Sequence, residues 1–234
     1  MEKLYEQIQI ISPESAKYSD PNEVFDLPFP SVNKIPPRFS LLNQRKFSYM
    51  GRERFSLVWK IFGTVESRPD QRQAVYLYGG KGYGKSYILA ALTCLLIRTG
   101  RRVVYLPDCR AWLFDPLRYL RNALVVAFVN CQLSREEILD CKNLESLVNF
   151  CAGYRDRLCF IVDQLNALDP EPMAQDVVTN EKKMSFRDQL QLMSANHILI
   201  TSASANDKTS QHTAQRDAGE VQVPLMGGMT SVKI

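Results

Sequence analysis

The sequence predicts an α/β fold of three layers, a mostly parallel five-stranded sheet between helices, preceded by a proline-rich extended arm. Three observations carry that expectation. From residue 74 onward, short apolar runs alternate with helical patterns, which is the signature of strands joined by crossover helices. A glycine-rich turn joins the first apolar run to the first long helix. Six of the twelve prolines fall within residues 12–40, a stretch that cannot run as a continuous helix or central strand.

Composition sets the outer bounds. With 234 residues, 45% apolar and 23% charged, the chain can bury the core of one ordinary domain and does not read as disordered. The net charge of +4 neither requires nor excludes nucleic acid or an acidic partner. The longest apolar run, Ile88 to Ile97, is too short to span a membrane, and Met1 to Glu6 lacks the apolar stretch of a secretory signal. Six cysteines form no Cys-x-x-Cys pair, and His197 and His212 are far from any ligand set, so no zinc site is expected. Cys94 and Cys159 lie in apolar segments and read as buried free thiols. The expectation is a soluble, intracellular protein that folds in reducing conditions.

Taken in order, residues 1–46 are read as the arm, pinned to the body by Phe25, Leu27 and Phe29, and residues 47–234 as the α/β domain. Arg54 to Gly63 has the pattern of a short amphipathic helix. Ala74 to Tyr78 is a buried strand, and an apolar helix runs from about Lys85 to Arg98, closed by Gly100. Val103 to Leu106 is a second strand, stopped by Pro107 and Asp108. Helical patterns at 115–130 and 143–152 lead to a third strand, Leu158 to Val162. A helix near 181–194 precedes a fourth strand, His197 to Thr201. The polar segment 203–218 reads as a loop, and a weaker fifth strand lies at Glu220 to Pro224.

Chemistry concentrates at the glycine turn. Gly79, Gly80, Lys81, Gly82, Tyr83, Gly84, Lys85 and Ser86, followed by Tyr87, fit G-x-x-x-x-G-K-[S/T], the phosphate-binding loop. Glycines let successive N–H groups point inward at a phosphate seated on a helix N-terminus. Lys85 adds a charge that reaches the outer phosphates, and the Ser86 hydroxyl ligates magnesium. The Lys85 side chain is expected to face solvent when the site is empty. A strand before and a helix after the motif supply its required context. The chain therefore reads as a P-loop NTPase binding ATP with Mg2+.

A second metal ligand should end a neighbouring buried strand, and Phe160-Ile-Val-Asp163 supplies it. Gln164 follows, where many ATPases of the additional-strand class carry a glutamate base; an amide can orient water but cannot take its proton. Asp169 is a substitute base or, since it precedes Pro170, the cap of a turn. The fourth strand delivers Ser202, Ser204 and Asn206 as candidates for contact with the γ-phosphate, and ordinary turn chemistry explains them equally well. Asp108 ends the second strand at the same crevice, either as a group that bears on water or partner binding or, equally well, as an ordinary loop acid. Gly51 and Arg52, in Tyr49-Met-Gly-Arg-Glu53, sit where signal-transducing ATPases cover the adenine, although by spacing alone the stretch is an ordinary strand-to-helix turn. Residues 31–60 hold seven basic residues against one acidic, an excess of +6 that reads as a solvated face. Polyphosphate or nucleic acid would match that charge, but nothing else in the sequence supports nucleic acid.

Several stretches together resemble one family. They are Phe25-Asp-Leu-Pro-Phe29, Tyr49-Met-Gly-Arg-Glu53, the phosphate loop with Tyr83, Tyr105-Leu-Pro-Asp-Cys-Arg110, Val162-Asp-Gln-Leu-Asn-Ala-Leu168, Ile200-Thr-Ser-Ala-Ser-Ala-Asn206 and Met226-Gly-Gly-Met229. The chain is similar to the ATPase portion of the crinkler group of eukaryotic effector-like proteins, which are related to trypanosomal retrotransposon-hot-spot proteins. The resemblance implies a signal-transducing ATPase with Gln164 as a family-typical residue, and secretion to act in a host cell or its nucleus. The family's ubiquitin-like header and nuclease- or kinase-like effector modules are not visible. No helical lid follows the fifth strand, which suggests a truncated product or a minimal switch needing a protein partner or self-association. Two functions compete: a slow ATP-hydrolysing switch, and a nucleotide-binding scaffold without useful turnover. A small-molecule kinase is disfavoured, because 203–218 offers only Lys208 and Arg216 where such enzymes bring an arginine-rich lid.

Overall fold

The computed structural model describes all residues except 40, 43–44, 69–72, 81, 171–177, 204–219 and 226–234. Five parallel strands form its central sheet: β4 (Gln73–Tyr78), β5 (Val103–Leu106), β6 (Cys159–Val162), β7 (Ile198–Ser202) and β8 (Glu220–Pro224). Their spatial order is β5-β6-β7-β4-β8, so β7 is inserted between the strand that leads into the phosphate loop and the strand that ends at Asp163. This is the three-layer P-loop fold of the additional-strand kind.

Each face of the sheet carries its own core, because successive strand residues point to opposite sides. On one face, Val103, Tyr105, Cys159, Ile161, Ile198 and Ile200 pack on α3 (Lys85–Arg98). On the other, Val104, Leu106, Phe160 and Val162 pack on a group of five helices. These are α4 (Cys109–Phe114), α5 (Pro116–Ala127), α6 (Gln132–Asp140), α7 (Leu144–Gly153) and α8 (Asn180–Ser194). Every residue of α3 from Ile88 to Ile97 is buried, which explains its apolar composition all round: the sheet covers one side and the N-terminal region the other. Among the described residues, no helix is long and apolar enough to cross a membrane.

Residues 1–50 are more folded than an extended arm. They hold α1 (Glu2–Gln9) and an antiparallel sheet of β1 (Val24–Pro28), β2 (Leu41–Leu42) and β3 (Lys46–Met50), in the order β1-β3-β2. Pro28 is tolerated because β1 is an edge strand, where a missing N–H breaks no ladder. The pinning residues are partly as expected: Leu27 and Phe29 are fully buried while Phe25 is half-buried, stacked 4.8 Å from Tyr18. Tyr18, unremarked in the sequence, is the larger anchor. Its ring lies between Phe25 and Phe55, and its carbonyl accepts from Arg52 N–H at 2.9 Å and Tyr49 Oη at 3.1 Å. The helix after β3, α2 (Glu53–Glu66), thus starts against the arm.

The strands of the central sheet and the longer helices around it lie within a few residues of their expected positions. Besides α1 in the arm, two helices were not expected. Helix α4 is N-capped by Asp108, whose carboxylate accepts from Arg110 N–H, and Pro116 opens α5 as a separate helix. Helix α6 buries only Ile138, so it has little apolar periodicity to reveal it.

Candidate functional site

The phosphate loop connects β4 to α3 at the carboxyl edge of the sheet, where ligands of open α/β folds bind. Helix α3 begins at Lys85, so its first N–H groups face the loop's interior. Gly84 is left-handed at φ +72°, and a β-carbon there would lie 2.5 Å from the Arg52 guanidinium. The left-handed turn is what calls for glycine here, since the Arg52 tip is the end of a flexible side chain. Tyr83 lays its ring over Gly80, and the Leu225 carbonyl after β8 crowds Gly79. Gly82 has open space around it, and Tyr87 is half-buried against Phe39, with ring centroids 4.9 Å apart. Lys81 lies outside the described residues.

Lys85 does not face solvent. It is buried, and its Nζ donates to the carbonyls of Gly79 at 2.7 Å and Gly80 at 3.0 Å, filling the hollow of the loop. Burial lowers its pKa below the ordinary lysine value, and the nearby Asp163 charge acts in the opposite sense. The amine is held where an anion would enter.

Asp163 follows directly on β6 and is buried. Its Oδ1 accepts from the Ser202 hydroxyl and from Gln164 N–H at 2.9 Å. Its Oδ2 accepts from Arg38 Nη2 at 3.0 Å. Arg38 Nε in turn donates to Ser86 Oγ at 3.0 Å, and Nη2 also donates to the Pro107 carbonyl. One guanidinium therefore joins the two residues expected to ligate magnesium. As a test of fit, the donor set is oxygen-only, anionic and already wrapped around a cation, which is what a hard divalent ion requires. Among the described residues, no cluster of three His, Cys, Asp or Glu side chains forms a separate metal site.

The other predicted residues separate into those near this crevice and those elsewhere. Ser202 is brought onto Asp163; Ser204 and Asn206, with Lys208 and Arg216, lie outside the described residues. Gln164 is left-handed at φ +58° and opens the short 3-10 turn Leu165–Leu168, so the chain leaves the strand direction at this residue. Asp108 caps α4, and its Oδ2 lies 3.9 Å from Arg38 Nη1. Asp169 is paired with Arg187 of α8. Arg52 reaches the loop at Gly84, whereas Gly51 packs on Asp20, whose carbonyl leaves no room for a β-carbon, and donates to Glu23 O at 2.9 Å. Gly51 is needed by the arm rather than brought to the loop.

The basic excess over 31–60 is not simply a solvated face. Arg38 enters the crevice, Arg52 covers the loop, and Arg45 donates to the carbonyls of Ser31 at 2.9 Å and Asn33 at 3.0 Å. Arg38 is the residue that sequence reasoning missed. The local charge excess was its only signal, and it does not say which basic residue turns inward.

No family model matches the chain, and no curated protein matches it. Among solved structures, it is similar to AMPPCP-bound DnaA from Aquifex aeolicus at 15% identity and a TM-score of 0.46, covering 83% of this chain and 51% of that one. A DNA replication initiation factor gives 16% identity and a TM-score of 0.43 over 82% and 50% of the two chains. A replication initiator DnaA bound to AMPPCP and single-stranded DNA gives 12% and 0.41 over 71% and 45%. The chain spans about half the length of these structures.

Proposed function

We propose that the chain binds ATP with Mg2+ in the crevice between the phosphate loop and Asp163, and works as a slow ATP-hydrolysing switch. One observation carries the reading: Lys85 and Ser86 open α3 behind a glycine loop, and Ser86 is joined through a single cation to Asp163 on the far side of β7. Loop N–H groups and Lys85 would bind the phosphates, and Arg52 would add charge at the loop. Ser86 and Asp163 would hold magnesium, which supplies charge neutralisation to the outer phosphates when bound. Ser202, already on Asp163, would orient that carboxylate, and Asn206 would complete contact with the γ-phosphate.

Slow turnover follows from Gln164, an amide in the place where a carboxylate base is usual. The same residue favours the second reading, a nucleotide-binding scaffold that does not turn over. The motifs shared with crinkler-type ATPase domains support a place in that effector-like group, with a protein partner completing the switch. Calorimetric titration with ATP and GTP, each with magnesium and with EDTA, tests the reading. ATP binding that tightens with magnesium is expected; no binding of either nucleotide overturns it. Single-turnover hydrolysis then separates switch from scaffold.

A further inference from the structure

Arg38 stands in the place the metal needs. Its Nε is 3.0 Å from Ser86 Oγ and its Nη2 is 3.0 Å from Asp163 Oδ2, so both candidate magnesium ligands spend a lone pair on the same guanidinium. A magnesium ion held by these two residues would leave no place for a second cation between them. The contact is built rather than incidental. Asp163 is 2% exposed and the Arg38 side chain 23% exposed, and the guanidinium also donates to the Pro107 carbonyl at the end of β5.

The strap that carries Arg38 is pinned on both sides of it. Asn33 Nδ2 donates to the Tyr119 carbonyl at 3.0 Å, and Asn33 Oδ1 accepts from Asn122 Nδ2 at 2.9 Å. Phe39 is buried among Phe29, Phe47 and Tyr87, the last being the residue after Ser86. Between these pins the strap borders a cleft of about 540 Å³ lined by Ile35, Pro36, Pro37 and Asp108. Asp108 Oδ2 lies 3.9 Å from Arg38 Nη1, a second carboxylate within a side-chain swing of the first.

We propose that Arg38 is a built-in competitor for the metal: it closes the magnesium site of the nucleotide-free chain, and entry of the metal–nucleotide complex drives it from Asp163 toward Asp108. The inference rests on the magnesium–nucleotide reading above. Occupancy of the site is thereby transmitted to residues 33–39 and to the cleft beside them. The arm is then the element that a bound nucleotide moves.

The test uses the full chain, with ADP as the probe so that turnover does not intervene. Affinity is measured by calorimetry with magnesium and with EDTA for the parent, Arg38→Ala and Arg38→Gln. Removing the competitor should tighten Mg–ADP about tenfold, the equivalent of one lost ion pair, while metal-free ADP changes little. In the parent, hydrogen exchange across 33–39 should rise with Mg–ADP and not with ADP in EDTA. That measurement keeps the question open to refutation if the variants fold poorly. Unchanged or weaker Mg–ADP affinity in both folded variants overturns the inference, because Arg38 would then serve the nucleotide or nothing. Parent exchange that is identical in both conditions, with nucleotide bound, also overturns it. Absence of ADP binding in the parent is a different result, since it removes the nucleotide function itself.

Discussion

The two ends of the candidate site are built by different means. The phosphate end is local: Gly79 to Ser86 are consecutive, and the first turn of α3 closes it. The metal end is assembled from Arg38, Ser86, Asp163 and Ser202, which arrive from the arm, α3, β6 and β7. A local site is made largely of backbone N–H groups and survives changes elsewhere in the molecule. An assembled site depends on packing, and on which cation is present to hold its buried carboxylate.

The comparison breaks most visibly at Lys85. Lys85→Ala removes the buried charge of the phosphate end, and two lost charge-assisted hydrogen bonds at about 1.5–3 kcal/mol each should cost ATP affinity about 10²–10⁴-fold. Urea denaturation should move little, because the bonds given up are to two loop carbonyls that water can reach once the side chain is gone. Equal ATP affinity for variant and parent by calorimetry would sink the phosphate-loop reading.

At the metal end, Gln164→Glu should raise the single-turnover rate by about 10²-fold, the lower range for a positioned general base. The parent should run well below the median enzyme rate of about 10 per second. The new carboxylate adjoins Asp163, so the gain should require magnesium. If Gln164→Glu leaves hydrolysis unchanged while Gln164→Ala abolishes it, the amide orients water and the base lies elsewhere.

Asp163→Ala sharpens the contrast further. On the proposed metal role of the carboxylate, it should weaken ATP about tenfold or more with magnesium and hardly at all in EDTA. Unlike Lys85→Ala it should also lower stability, by about 1–3 kcal/mol, because Arg38 and the buried Ser202 hydroxyl lose their acceptor. An equal loss with and without magnesium would count against the assignment.

The smallest effect is expected far from the site, where a buried histidine plays a purely structural part. His197 accepts from Leu158 N–H at Nδ1 and donates through Nε2 to the Cys151 carbonyl at 2.7 Å, so it is held neutral. Burial is the main cause of a pKa below the ordinary value of 6.5. The unfolded chain therefore takes up a proton first as pH falls. The stability contributed by the neutral ring is complete above 6.5 and drains as pH drops toward the folded value, at no more than about 1.4 kcal/mol per pH unit. Urea midpoints measured from pH 7.5 to 5.5 should fall less steeply for His197→Gln than for the parent.

Legibility followed the same division as the site. The parallel strands and α3 could be read because their apolar runs are buried whole, and the phosphate loop because its residues are adjacent. Asp163 was legible as an acid at the end of an apolar strand. The arm was misjudged as extended because its prolines argue against helix and central strand, while its strands sit at an edge and in a small antiparallel sheet that tolerate them. Lys85 was misjudged because a motif specifies the ligand-bound role of a lysine and not its resting partners. Cys94 and Cys159 are buried free thiols as read, with burial pushing both well above the ordinary thiol range.

By itself, the sequence determined the succession of the central strands, the phosphate loop and the strand that ends at Asp163, because each rests on contacts among neighbours in the chain. Tertiary structure alone decided that Tyr18 hooks the arm to the start of α2 and that Arg38 meets Ser86 and Asp163. Hydrophobic periodicity tells a segment that it must be buried but not against what. The partner of a buried carboxylate is set by whichever cation the folded chain brings within hydrogen-bond reach, and for Arg38 and Asp163 that meeting spans 125 positions of sequence.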